Sequence, residues 1–251
     1  NLEVKYWLLK VADQLQLLCL PVTAIQEAEK ELRQYEVIIS IEDENGTQVP
    51  PLEYLQAAEH YSRMYLVDRW TLEQLIKWMS THRNEVAKID RFMLKLSGYS
   101  MNDDSLLAFI FDQAREHDIP VDKFCFELNE TSAIQNIEDA ADFMHEMRSL
   151  GCEFTLSDFG TGQSSFEYLK QLPVNYVKID HTFIEELVTS SADYAMVKSI
   201  HEIAHFMAKK TIAEQVNNED TLDILRSIGI DLAMSGELQQ AIPLDELARL
   251  N

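Results

Sequence analysis

Charged and polar side chains recur where short apolar runs end. Glu36 and Ser40 follow "YEV", Lys95 and Ser97 end "RFMLKLS", and Glu127 and Glu130 end "KFCFELNE". Ser157 and Asp158 close "EFTLSD", Lys178 and Asp180 close "NYVKID", Glu214 sits in "TIAEQ" and Met234 in "DLAMSG". Acidic groups from four or more separate runs, gathered in one place, would repel each other unless a cation lay among them. A metal site is the natural inference.

Such a gathering needs a fold that brings many strand ends together. Apolar runs at residues 15–22, 35–46, 91–98, 123–130, 153–160, 175–180, 211–215 and 231–236 alternate with amphipathic stretches at 51–61, 66–83, 105–117, 137–150, 164–171, 193–209 and 222–228. The second run closes in an Asn-Gly turn at Asn45 and Gly46. Eight strands alternating with helices predict an α/β fold of the closed (β/α)8 type, a modified TIM barrel in one domain. In such barrels the C-terminal ends of the strands face the site.

Composition narrows the partners. The chain has 251 residues, 46% of them hydrophobic, with 21 Lys+Arg against 43 Asp+Glu and a formal net charge of −22. That average repels phosphate backbones and anionic lipid, so no direct nucleic-acid partner is expected. Cys19, Cys125 and Cys152 are far apart and flanked by apolar residues, which predicts buried thiols with neither disulfide nor zinc. No apolar run approaches the ~18 residues that span a bilayer. The expectation is a cytoplasmic domain, a C-terminal piece of a longer and membrane-anchored signalling protein.

The stretch "SDFGTGQSSFEYLKQLPVNYVKID" resembles the Asp-Asp-Phe-Gly-Thr-Gly to Lys-Ile-Asp segment of EAL domains, phosphodiesterases that linearise the bacterial second messenger cyclic di-GMP. "YEVI", "FELNE" and "IAEQV" resemble three further family segments in matching order. The resemblance implies a modified TIM barrel with two magnesium or manganese ions. It implies metal-binding glutamates at Glu36, Glu127 and Glu214, a proton-handling lysine at Lys178, a loop-ordering glutamate at Glu130, and the second aspartate of the paired turn at Asp158.

Five family positions are substituted. Ser157 replaces the first aspartate of the turn, Lys95 the metal-binding asparagine, Met234 a glutamine near the last strand, Ser40 the arginine that grips substrate, and Leu20 the glutamine before a proline. Two-metal hydrolysis needs bridging anions, and an ammonium has no lone pair to offer an ion. The expectation is therefore that Lys95 stands in for the cation and leaves Glu36, Glu127, Asp158, Lys178 and Glu214 as vestiges, with no cofactor and no metal. Serine cannot grip a phosphate as arginine does, so cyclic di-GMP itself is not expected as a ligand.

"HEIAH", His201 to His205, matches the zinc-protease pattern His-Glu-x-x-His. With no third ligand in the usual register it reads as a solvated helix face, any zinc there being incidental. Phe159, Gly160, Thr161 and Gly162 read as backbone geometry of the turn, and the methionines as core filling.

These losses predict a degenerate, catalytically inactive domain that acts by protein–protein contact. The pattern resembles the CsrD and MshH group, which implies the glucose-specific IIA phosphotransferase protein as partner and control of regulatory RNA turnover. The alternatives are a cyclic di-GMP receptor that does not hydrolyse, and a weak phosphodiesterase. The family also implies a homodimer formed through the helix after the Asp-Phe-Gly-Thr-Gly loop.

Overall fold

The computed structural model describes residues 14–26, 32–101, 104–161, 166–236 and 238–249. Ten strands form one sheet: β1 Leu15–Ala24, β2 Gln34–Glu42, β3 Gln48–Val49, β4 Arg91–Lys95, β5 Phe124–Asn129, β6 Glu153–Phe159, β7 Tyr176–Ile179, β8 Lys210–Ala213, β9 Leu232–Ala233 and β10 Ile242–Pro243. The longer helices are α1 Leu52–His60, α2 Met64–Thr81, α3 Asp104–His117, α4 Ile137–Arg148, α5 Ser191–Phe206 and α6 Glu219–Ile228.

The strand order is β10-β1-β9-β8-β7-β6-β5-β4-β2-β3, and a further β1–β2 pairing closes eight of them into a ring. This is the expected modified TIM barrel in a single domain. Seven ring strands run parallel, whereas β1 runs antiparallel to both neighbours, pairing Leu20 with Glu36 and Thr23 with Ala233. The two-residue strands β3 and β10 flank the ring and carry too little periodicity to be read from sequence. The β2–β3 hairpin does turn at Asn45-Gly46, with Gly46 at φ 77° and its N–H donated to the Asp43 carbonyl.

Alternation along the strands separates two cores. Leu94, Phe126, Val177 and Ala213 point outward into the main core beneath the helices. Met93, Cys125, Tyr176, Ile212 and Leu232 point inward and, with Leu20, Val22 and Met234, plug the barrel. All three cysteines are buried free thiols. The helix expected to run on to Lys209 stops at Phe206, because Ala208 takes a left-handed φ of 57° to send the chain into β8. Among the described residues no helix is long and apolar enough to cross a membrane.

Candidate functional site

Two residues beyond the apolar plug, the inward positions turn polar. Lys95 follows Met93, Glu127 follows Cys125, Lys178 follows Tyr176 and Glu214 follows Ile212, while Glu36 joins them from β2. The period of two that fills the barrel below therefore also aims these groups into one mouth.

Lys178 is the centre of that mouth. Its side chain is 0% exposed and its Nζ donates to Glu36 Oε2 at 2.6 Å and to Glu127 Oε2 at 2.5 Å. Lys95, at 62% exposure, reaches the outer oxygens of the same glutamates, 3.4 Å from Glu36 Oε1 and 3.7 Å from Glu127 Oε1. The expectation that Lys95 supplies the internal ammonium is corrected: the fully enclosed ammonium is Lys178, and Lys95 closes the pair from the solvent side. Lys178 comes from the middle of a buried strand, whereas Lys95 is the last residue of β4 and can extend into water.

The electrostatics follow. Burial alone would push the Glu36 carboxyl up, but Lys178 and Lys95 outweigh it and hold the group at about 2. Burial opposes the charge on Lys178, yet Glu127, Glu36 and Glu214 raise it above the ordinary lysine range. Glu36 and then Glu127 raise Lys95 as well. Glu214 goes the other way, because burial pushes its carboxyl up beyond what Lys178 and Lys95 restore.

The remaining predicted residues are dispersed. Ser157 is buried, whereas Asp158 is exposed and held at a φ of 55° where the β6–β7 register shifts. Glu130 is buried and its Oε2 accepts the Gly160 N–H at 3.3 Å, tying the turn after β6 to the end of β5. Gly160 has a φ of 105°, and a Cβ there would come within 2.8 Å of Phe183 Cε2. Ser40 is buried and donates to Gln48 Oε1 at 2.7 Å, so it braces the β2–β3 hairpin. Leu20 and Met234 extend the apolar plug on the β1–β9 side. Gly162 and residues 164–165, where the sequence predicts the following helix to begin, lie outside the described residues.

Sequence reasoning missed His181 and Asp68. His181 Nδ1 lies 3.6 Å from Asp180 Oδ1 and 3.8 Å from Glu214 Oε1. Its place directly after "NYVKID" was the available signal. Asp68, buried on α2, accepts from the Ser97 N–H at 2.9 Å and from the Ser97 and Ser100 hydroxyls, fastening the loop after β4. An aspartate within an amphipathic helix carries no mark of that role.

The two divalent ions that the resemblance implies would lose a ligand at Lys95, whose ammonium stands against Glu36 and Glu127 where the family pattern has an asparagine. Lys178 occupies the inner oxygens of Glu36 and Glu127, and Lys95 stands against the outer ones. Lys178 belongs to the family pattern, so the ammonium that an entering cation meets in place of a ligand is that of Lys95, which has no lone pair to offer it. Glu214 groups instead with Asp180 and His181, one ligand atom from each lying within 4.8 Å of the others.

A family profile described as the EAL domain matches residues 13–238. The chain belongs to the EAL family. It is 33% identical to the cyclic di-GMP phosphodiesterase PdeB of Shewanella oneidensis over 95% of this chain and 28% of that protein. It is 28% identical to the cyclic di-GMP phosphodiesterase PdeF of Escherichia coli over 78% of this chain and 26% of that protein. The chain thus spans about a quarter of the length of these curated relatives. The FimX EAL domain of Pseudomonas aeruginosa bound to c-di-GMP superposes with a TM-score of 0.83, 24% identity and 96% of both chains covered. A phosphodiesterase, PaMucR, in its c-di-GMP complex superposes at 0.85, with 23% identity over 98% of this chain and 99% of that one. At these identities the superpositions establish the fold.

One expectation is overturned by these EAL relatives, and a second is opposed by them. The inactive domain working by contact with the IIA protein and by RNA turnover finds no support in proteins named for acting on cyclic di-GMP. The expectation that cyclic di-GMP is not a ligand runs against solved EAL neighbours, which are complexes with it. Lys95 leaves an exposed ammonium at the mouth, which can face a phosphate.

Proposed function

We propose that this EAL domain is a cyclic di-GMP receptor that binds the dinucleotide at the barrel mouth without cutting it at a useful rate. The observation that carries this reading is Lys95, which stands where the family pattern has a metal-binding asparagine and sets its ammonium against Glu36 and Glu127. Ser157, Lys95, Ser40, Met234 and Leu20 are the positions where the chemistry departs from the family pattern. The exposed ammonium of Lys95 faces incoming phosphate, while Leu20 and Met234 stay buried in the apolar plug. Glu130, through Gly160, keeps the turn after β6 in place. We further propose that the domain is one ligand-reading unit of a longer signalling protein, in line with the share of its relatives that it spans.

Calorimetry with cyclic di-GMP in chelator-treated buffer tests the reading, alongside chromatography of the nucleotide after incubation with manganese. Heat of binding without divalent ions, and no linear dinucleotide, is the expected pair of results. Manganese-dependent linear product that disappears in Glu36→Ala would establish the weak phosphodiesterase instead.

A further inference from the structure

At the end of the barrel opposite the mouth, three side chains meet that the cyclic di-GMP site does not use. His201 and His205 lie one turn apart on α5, their ring centroids 4.0 Å from each other. Asp231, just before β9, places Oδ1 and Oδ2 at 3.1 and 2.8 Å from His205 Nε2. One ligand atom from each of the three lies within 4.8 Å of the others. The expected solvated helix face is corrected here, because His201 is 6% and Asp231 4% exposed. The third ligand comes from beyond α6, outside any register a local motif could specify.

The surroundings already orient the carboxylate and one ring. The Thr211 N–H and hydroxyl both donate to Asp231 Oδ2, at 2.7 and 3.0 Å. With its single proton spent there, the Thr211 oxygen accepts from His201 Nδ1 at 2.8 Å, which leaves His201 Nε2 with the lone pair. Gly229, at φ 104°, keeps the space beside that atom clear: a Cβ would stand 3.0 Å from it. Such hydrogen bonds behind the ligands are what fix tautomer and direction in metal centres.

We propose that His201, His205 and Asp231 bind one divalent cation of the zinc class, fastening α5 to the base of the barrel. Two imidazole nitrogens and a carboxylate oxygen suit that class, and His205, with its side chain 45% exposed, leaves a fourth position for water. Tetrahedral bonds of ~2.0–2.1 Å set ligand atoms roughly 3.3 Å apart, inside the range the three groups already span. On binding, the cation takes the place of the His205 Nε2–Asp231 hydrogen bond, and the single ring proton of the neutral imidazole sits on Nδ1. Glu202, the glutamate of "HEIAH", is exposed and 3.9 Å from Lys198, so the site holds a metal and offers no general base for hydrolysis.

Zinc titration of the metal-free domain against a chromophoric chelator, paralleled by the visible spectrum with cobalt, tests this. One equivalent of zinc, a tetrahedral cobalt band and a raised melting temperature are expected. His205→Ala should lower zinc affinity on the order of 100-fold and remove the band. His205→Lys, which keeps a cation against Asp231 and so preserves the fold, should do the same. His181→Ala, which disrupts the separate group at the mouth, should leave both readouts unchanged. No stoichiometric uptake by the unaltered domain, or uptake that survives either His205 variant and vanishes in His181→Ala, would overturn the proposal.

Discussion

The two ends of the barrel hold their carboxylates with different cations. At the mouth, Glu36 and Glu127 face lysines, and the neighbouring glutamates raise both ammonium groups above their ordinary range. At the base, Asp231 faces imidazoles, which carry charge only when protonated. A protonated lysine has no lone pair to offer a divalent ion, whereas a neutral imidazole has one. Whether a buried carboxylate is open to metal thus depends on the partner's lone pair more than on the carboxylate itself.

Lys178→Met strikes this contrast hardest. It leaves two buried glutamates sharing only the solvent-side Lys95, a type of loss that costs about 3–5 kcal/mol. Urea unfolding at pH 7 should record it. The deficit should shrink toward pH 5, because Glu36, with burial no longer opposed by Lys178, protonates more readily. A loss at pH 7 below about 1 kcal/mol, the value of an exposed pair, would break the comparison. Lys95→Asn sharpens it from the other side. Since Lys95 is 62% exposed, stability should change by no more than about 1 kcal/mol, while manganese binding at the mouth should appear or strengthen. Calorimetry that finds equal manganese affinity in both chains would show that Lys95 does not guard the mouth.

Much of this was legible in the sequence because it depends on period and order. Runs such as "RFMLKLS" and "KFCFELNE" place their polar residues in strand alternation, so Lys95 and Glu127 could be assigned to one mouth. The reversed direction of β1 was not legible, since alternation is the same read either way along a strand. Nor was the division of labour between Lys95 and Lys178, which depends on how far each Cα sits from the rim. His181 escaped notice because two residues past the end of β7 its direction is set by the following turn, where the Thr182 N–H and hydroxyl bond to Asp180. Asp231 and "HEIAH" are 26 residues apart between His205 and the carboxylate, and only the α6 return joins them.

Acid titration gives a smaller effect with a definite sign. Glu36 is held at about 2, below an ordinary carboxylate, so its pairing stabilises the fold above the unfolded value of ~4.3 and is lost as pH falls toward about 2. Urea midpoints followed from pH 5 downward should fall more steeply in the unaltered domain than in Glu36→Gln. Parallel acid limbs would mean that the lysines do not hold this carboxyl down.

Glu214 should give the smallest change and the opposite sign. Its pKa is raised, chiefly by burial, so what it contributes favourably is present below the unfolded value and is lost as pH rises through the folded one. At pH 7 the ionised carboxylate is therefore a net cost that the lysines reduce without cancelling. Glu214→Gln keeps the shape and removes the charge, so the melting temperature should rise slightly at pH 7 and by nothing at pH 4, where the native glutamate is itself protonated. A fall at pH 7 would mean that Glu214 belongs with Glu36 among the carboxylates the mouth holds charged, and that Lys178 is shared among three acids instead of two.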